Sequence, residues 1–497
     1  MLFVTFLDNT IVAVALSDIQ LQLHAGIQAL QWIVSGYALP FAGLMLTFGT
    51  IGDRLGRRAT MLAGLAVFTA GSVLGSVAVS SGMLIGARVI MGVGAAASEP
   101  GTLSMIRQLY PGGAERARAL GIWSAISGLA LAAGPVIGGL LVGLWGWRLV
   151  FIFNVAVGLI ALIGVARILP ESRTPSRFRL DEGGFLLAAL AVTAGVFATI
   201  LGETDGFGTW WIIALYGLAA LAAGLFVGNE LRAAEPALDL HFFGNGAFTA
   251  GMTFAFTGFF AVFAVFFFLP LFVELLAQRS SVDVAADFAP MAVCMIVASL
   301  LSGRWVARAG PGIPMAVGGV VAAAGLFFTD AFLSVSSGIE LFGWSLSLVG
   351  GGLGVVMVGA TASVLSAVPA DRSGMAASAV NTSRELGAVV GVTVLGAIIN
   401  AQLTTNLLHK LSSVKGLPAS IRDQVIAAVT TGQVNTGQSS LPKTGPIAKI
   451  IDQVLGAAES SFTSGLTMVL TLSASLVLLS SLIALVTARR TPGSLQE

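Results

Sequence analysis

Stretches of about 20 apolar residues recur along the whole chain, each long enough to cross a ~30 Å hydrocarbon core as a helix. Fourteen can be drawn, at approximately 1–17, 31–51, 59–79, 83–106, 119–143, 149–169, 183–201, 210–228, 247–276, 284–306, 313–333, 340–367, 376–402 and 460–487. Backbone polar groups find no water in lipid, and runs of this length satisfy them within helices. Composition agrees. The chain is 56% hydrophobic and 10% charged, against about 25% charged for soluble domains. The fold class is therefore an all-α polytopic membrane protein. No basic segment precedes the first run, which reads as a span and not as a cleavable signal. Asp8 lies only about 10 Å of helical rise from Met1, so first turns or a cytoplasmic tail are expected ahead of it.

Orientation follows from the placement of basic residues in short loops. With the N-terminus inside, sixteen arginines fall in cytoplasmic loops and the tail, and only Arg148 and Arg279 in short outside loops. Both termini are expected in the cytoplasm. The single cysteine, Cys294, has no disulfide partner and reads as packing. His24, His241 and His409 are far apart, so no metal site is expected. No nucleophile–base pattern or phosphate loop points to an enzyme, and no basic surface points to nucleic acid.

The chain repeats itself. Gly92–Pro111 and Gly350–Pro369 share their first glycine, Gly101 with Gly359, and the closing proline, at an offset of 258. Gly49, Arg54 and Gly56 match Gly303, Arg308 and Gly310 at an offset of 254. Two six-helix halves in parallel orientation explain both matches. Spans 7 and 8 are then extra, which divides the chain into a bundle at 1–169, a linker with two added spans at 170–246, a second bundle at 247–487 and a tail at 488–497. The second bundle holds a long external loop at 404–460, where Pro418 and Pro446 each stand at the start of a short amphipathic segment. Two helices lying on the outer surface are expected there.

Charges inside spans are costly, which makes them candidates for function. Asp8 stands beside Asn9 and Thr10 in L-D-N-T-I-V-A-V-A-L. A carboxylate in low dielectric holds a proton more readily than one in water, so changing water access would load and unload it. Arg88 is a fixed charge near the outer end of span 4; it either meets such a carboxylate or snorkels to the interface. Glu99, eleven residues on and just before Pro100, sits at a bend suited to a cavity wall, or pairs with a loop arginine. Arg384 and Glu385 occupy the middle of span 13 in N-T-S-R-E-L-G, about 100° apart around the helix and so not a simple mutual pair. Proton coupling is expected of Asp8, Arg88, Glu99 and Glu385, and substrate contact of Glu99, Asn381 and Glu385.

Gly49–Arg58 reads G-T-I-G-D-R-L-G-R-R, a tight charged turn in which Asp53 stands close to Arg54, Arg57 and Arg58. An ion-pair latch of this kind suits gating, and Gly49 and Gly56 permit the turn. Gly128–Gly139 reads G-L-A-L-A-A-G-P-V-I-G-G, where small residues and Pro135 favour close helix contact and a bend. The run F-F-A-V-F-A-V-F-F-F at 259–268 is rich in rings that would line a cavity for many hydrophobic shapes, but most of it is expected to face lipid.

These stretches resemble the drug:proton antiporter group of the major facilitator superfamily with fourteen spans. The segment around Asp8 resembles that group's helix 1 motif, Gly49–Arg58 its helix 2–3 loop, R-V-I-M-G-V-G-A-A its helix 4 motif and Gly128–Gly139 its antiporter motif. The resemblance implies a major facilitator fold and proton-driven export by alternating access. It places Asp8 and Arg88 in proton handling, Asp53 and its arginines in gating with Gly134, Pro135 and Gly138 in antiport. Ala13, Ser17 and Glu99 depart from the pattern. The expected protein is a monomeric, multi-pass exporter of the inner (plasma) membrane for small amphipathic compounds. It meets protons and membrane lipids and needs no cofactor beyond the proton gradient. The alternative is a lipid or glycolipid transporter to the outer leaflet. Neutralising Asp8 is expected to abolish coupling and leave folding intact.

Overall fold

The computed structural model describes residues 2–489 apart from 111–112, 172–180, 234–235, 237, 277–278, 334–338, 370–372 and 413–445. The first group of helices is α1 (Leu2–Leu23), α2 (Ile27–Leu55), α3 (Arg57–Ser76), α4 (Ser81–Ser98), α5 (Pro100–Leu109), α6 (Gly113–Trp145) and α7 (Arg148–Ile168). Then come α8 (Glu182–Asp205) and α9 (Trp210–Glu230). The last group is α10 (Gly246–Leu271), α11 (Ser281–Ala309), α12 (Gly312–Ala331), α13 (Ile339–Ser366), α14 (Ser373–Ser412) and α15 (Pro446–Arg489). Thirteen helices among the described residues are long and apolar enough to cross a membrane, and the 29-residue α2 runs alongside them. The molecule is a multi-pass membrane protein.

The internal repeat is visible in the packing. Gly94 faces the backbone of Gly64 and Phe68, while Gly352, its partner at an offset of 258, faces Gly318 and Ala322, their partners at an offset of 254. A Cβ on Gly94 would stand 2.6 Å from the Gly64 carbonyl oxygen. Gly101 and Gly359 likewise face Met61 and Met315, again related by 254. Helices this close tolerate no side chain at the crossing. Gly94→Val and Gly352→Val are expected to cost similar stability, ~1–3 kcal/mol or more through overpacking, read as matching drops in the thermal midpoint of the purified protein.

Two helix pairs carry much of the packing between the first and last groups: α2 on α14 and α6 on α11. The α8–α9 hairpin leans on the first of these pairs, with α8 touching both α2 and α14. At its base the Asp181 side chain caps α8 by accepting from the Gly184 amide at 2.8 Å and accepts from the Asn229 side chain at 2.7 Å.

Three expectations change. Every residue from Phe259 to Phe268 is at most 3% exposed, so this run is protein-buried and not lipid-facing; α10 is enclosed by α1, α13, α14 and α15. The expected span 83–106 divides at Glu99, because Pro100 opens a new helix. The expected surface helix from Pro446 continues unbroken into the last span as α15, since no proline intervenes to end it. The other surface segment, from Pro418, and the turn at Asp371 and Arg372 lie outside the described residues.

Candidate functional site

Asp8 is fully buried in α1. One carboxylate oxygen pairs with the Arg88 guanidinium of α4, and the other accepts from the Asn154 side chain of α7 at 2.6 Å. Arg88, 1% exposed, does not snorkel. Its Nε donates to the Ile33 carbonyl of α2 at 3.0 Å, and its guanidinium carbon lies 4.4 Å from the centre of the Tyr37 ring. Tyr37 in turn donates its hydroxyl to the Thr5 carbonyl at 3.1 Å. A buried ion pair holds only when its remaining polar sites are also satisfied; here α1, α2, α4 and α7 supply the partners. Asn154 and Tyr37 are the residues that sequence reasoning missed. An amide within F-I-F-N-V-A-V was the available signal.

A second polar cluster lies between the first and last helix groups. Glu99, at the break between α4 and α5, accepts from the Asn381 side chain of α14 at 3.3 Å. Its other carboxylate oxygen is buried with no partner among the described residues. Its counterpart is thus an amide across the seam and not a loop arginine. Four residues on, Glu385 accepts from the Asn9 side chain of α1 at 3.1 Å. Residues four apart share a helix face, so α14 presents an amide to a carboxylate and a carboxylate to an amide. Arg384 turns elsewhere, donating to Thr361 Oγ1 at 2.6 Å and to the Met357 carbonyl at 3.2 Å, both on α13. It also donates to the Asn381 side-chain oxygen at 3.3 Å, which orients that amide toward Glu99.

The small residues of α6 press against this core. A Cβ on Gly138 would stand 2.8 Å from the Ile11 carbonyl oxygen, and one on Gly134 would collide with the Thr10 hydroxyl. Pro135 lies between them, within the helix. Thr10 and Ile11, one turn or less beyond Asp8, are therefore held by direct backbone approach of α6 to α1.

The charged turn lies at the far end of α2 from Ile33. The backbone of Gly49–Arg58 is described; the side chains of Asp53 and Arg54 lie outside the described residues. Gly49 packs near Pro100, where a Cβ would find it at 3.5 Å. Gly56 adopts φ +124°, a conformation that favours glycine. Beyond it the Glu171 carboxylate accepts from the Arg58 and Ala59 backbone amides at 3.2 Å each, an anion at the N-terminus of α3. Arg58 also donates to the Ala166 carbonyl, and Arg57 to the Gln108 side chain at 3.3 Å. Gly56→Ala is expected to destabilise the protein by ~1–3 kcal/mol from backbone strain alone, and by more where its Cβ, which would stand 2.6 Å from a Glu171 oxygen, pushes that carboxylate aside. Thermal unfolding checks this.

The profile of the Major Facilitator Superfamily matches residues 1–392. The chain belongs to the major facilitator superfamily. Among relatives, this superfamily member is 33% identical to the multidrug resistance protein Stp of Mycobacterium tuberculosis, over 87% of this chain and 80% of that one. It is 32% identical to the tetracenomycin C resistance and export protein of Streptomyces glaucescens, over 98% and 89%. Among solved structures, a bacterial homologue of the lysosomal transporter Spinster, inward-facing and unoccupied, matches with a TM-score of 0.64 at 17% identity, covering 99% of this chain and 97% of that one. That likeness speaks for the fold.

Proposed function

We propose that this major facilitator is a proton-coupled exporter of amphipathic compounds, cationic ones included, working by alternating access in the plasma membrane. The observation that carries the coupling is the Asp8–Arg88 pair, two buried charges within one helix group, beside Asn9, which reaches across to Glu385. The substrate class rests on relatives named for multidrug resistance and antibiotic export.

In this reading both termini are cytoplasmic, and residues 1–169 and 247–487 move as two bodies about a midplane site, with 170–246 as an added hairpin. A proton reaching Asp8 neutralises it and loosens its hold on Arg88. Glu99, Asn381 and Glu385 form the substrate wall, where a cationic group competes with a proton for the carboxylates. Either ligand shifts the balance of states only by its differential affinity for them. Asp53 with Arg54, Arg57 and Arg58 acts at the gate, and Gly134, Pro135 and Gly138 hold the coupling helix. The transporter acts as a monomer and draws its energy from the proton gradient, with no cofactor.

The test is reconstitution in vesicles with an imposed pH gradient, recording proton flux while cationic dyes, neutral antibiotics and lipids are offered. Substrate-dependent proton movement, lost in Glu99→Gln, is expected. Transport indifferent to the gradient would overturn proton coupling.

A further inference from the structure

An apolar cavity of about 640 Å³ opens on the side of the molecule between α2, α4 and α8, within the range of about 300–1,000 Å³ typical of ligand pockets. Trp32 and Gly36 of α2, Ile85 and Val89 of α4, and Thr193 and Phe197 of α8 are among its walls, and none of its lining residues is charged. Trp32 and Phe197 meet edge to face, with ring centres 4.5 Å apart. The cavity is built partly by the added hairpin and plays no part in the polar clusters above. Helix packing stands between it and them. A Cβ on Gly92 would stand 2.7 Å from the Pro40 ring and closer still to the Tyr37 carbonyl, so α2 and α4 touch directly between cavity and interior.

We propose that this cavity binds one acyl chain of a membrane phospholipid. Two of the walls, α4 and α8, belong to helices long and apolar enough to cross a membrane, and α2 runs alongside them, so the mouth, where Val89 and Phe197 are each 40% exposed, opens into hydrocarbon. An occupant with a charge or several hydrogen-bonding groups would find only the Thr193 hydroxyl and the Trp32 indole N–H among these side chains, and leaving polar groups unpaired there is costly. Polarity rises beyond Trp32, one helical turn toward the start of α2, where the Gln28 side chain donates to the Ile200 carbonyl at 3.3 Å. A chain in the cavity with its ester and headgroup at that end matches this gradient. The occupant would press on the backs of the segments that hold the buried pair: Ile85 and Val89 flank Arg88 on α4, and Gly36 precedes Tyr37 on α2.

The experiment is photolabelling of the full-length protein in phosphatidylglycerol–phosphatidylethanolamine vesicles containing a phospholipid with a diazirine on its acyl chain, followed by peptide mass spectrometry. Labelling is expected to concentrate on the cavity segments of α2, α4 and α8, several-fold above the exposed face of α9. Thr193→Phe and Gly36→Leu, which fill the cavity from opposite walls, are expected to remove it and leave α9 labelling unchanged. A Cβ at Gly36 meets nothing closer than 3.6 Å, so this second variant has room to fold. Uniform labelling of cavity and α9, insensitive to both substitutions, would mean bulk lipid contact only and overturn the proposal. Displacement of the label by an exported dye would overturn it too, by assigning the cavity to the transported compound.

Discussion

Asp8→Asn is expected to abolish uphill export in vesicles with an imposed pH gradient, and to lower the stability of the protein at the same time. The first effect follows because an amide cannot take up and release a proton near neutral pH. The second follows from the pairing: with Asp8 neutral, the Arg88 guanidinium keeps the Ile33 carbonyl and the Tyr37 ring but loses its counter-charge. Breaking one side of a buried pair costs ~3–5 kcal/mol, largely the penalty of the charge left behind. The expectation from sequence that folding is left intact by this substitution is therefore amended. Asp8→Asn with Arg88→Gln removes both charges, and this double variant is expected to regain most of the thermal midpoint while remaining uncoupled. Stability and coupling thus separate. Gradient-driven export at the normal rate in either variant would sink the role given to Asp8, whatever its stability.

How much of this was legible in the sequence depends on what each residue's surroundings cost. Asp8, Arg88, Glu99 and Glu385 stood out because a charge within an apolar span is expensive wherever it points. Their partners did not. Asn154 lies 146 residues from Asp8 and Asn9 lies 376 from Glu385, and nothing local to an amide names the carboxylate it will meet. The repeat was readable because glycine spacing records helix crossings, and Gly94 and Gly352 proved to sit at equivalent ones. The phenylalanine run at 259–268 misled for a physical reason. In a bilayer both lipid and protein interior are apolar, so hydrophobicity alone does not tell a lipid-facing helix from an enclosed one. Glu171 was invisible because it stands at the edge of a polar linker, where a carboxylate is ordinary; only the fold brings it to the N-terminus of α3.

The other large effect is expected at the seam. The bonds from Asn9 to Glu385 and from Asn381 to Glu99 join the first helix group to the last, and any rocking of one group against the other at this level must break them. A buried hydrogen bond to a charged group is worth ~1.5–3 kcal/mol, so losing one shifts a two-state balance about 10- to 100-fold. Asn9→Ala and Asn381→Ala are each expected to depopulate the arrangement seen here. Glu385→Gln and Glu99→Gln, which imitate the protonated acids, should act in the same direction by removing charge from the acceptor. Spin labels at Val79 in the turn between α3 and α4 and at Phe332 just after α12, both exposed, report the separation of the groups once Cys294, a free thiol, is replaced by serine. Longer or broader distances in the single variants, with a non-additive Asn9→Ala and Glu385→Gln pair, would establish a coupled contact. Distances indistinguishable from the parent protein in all of them would show that the seam is held by apolar packing of α2 on α14 and α6 on α11. The acids would then act on protons and substrate without acting on the closure itself.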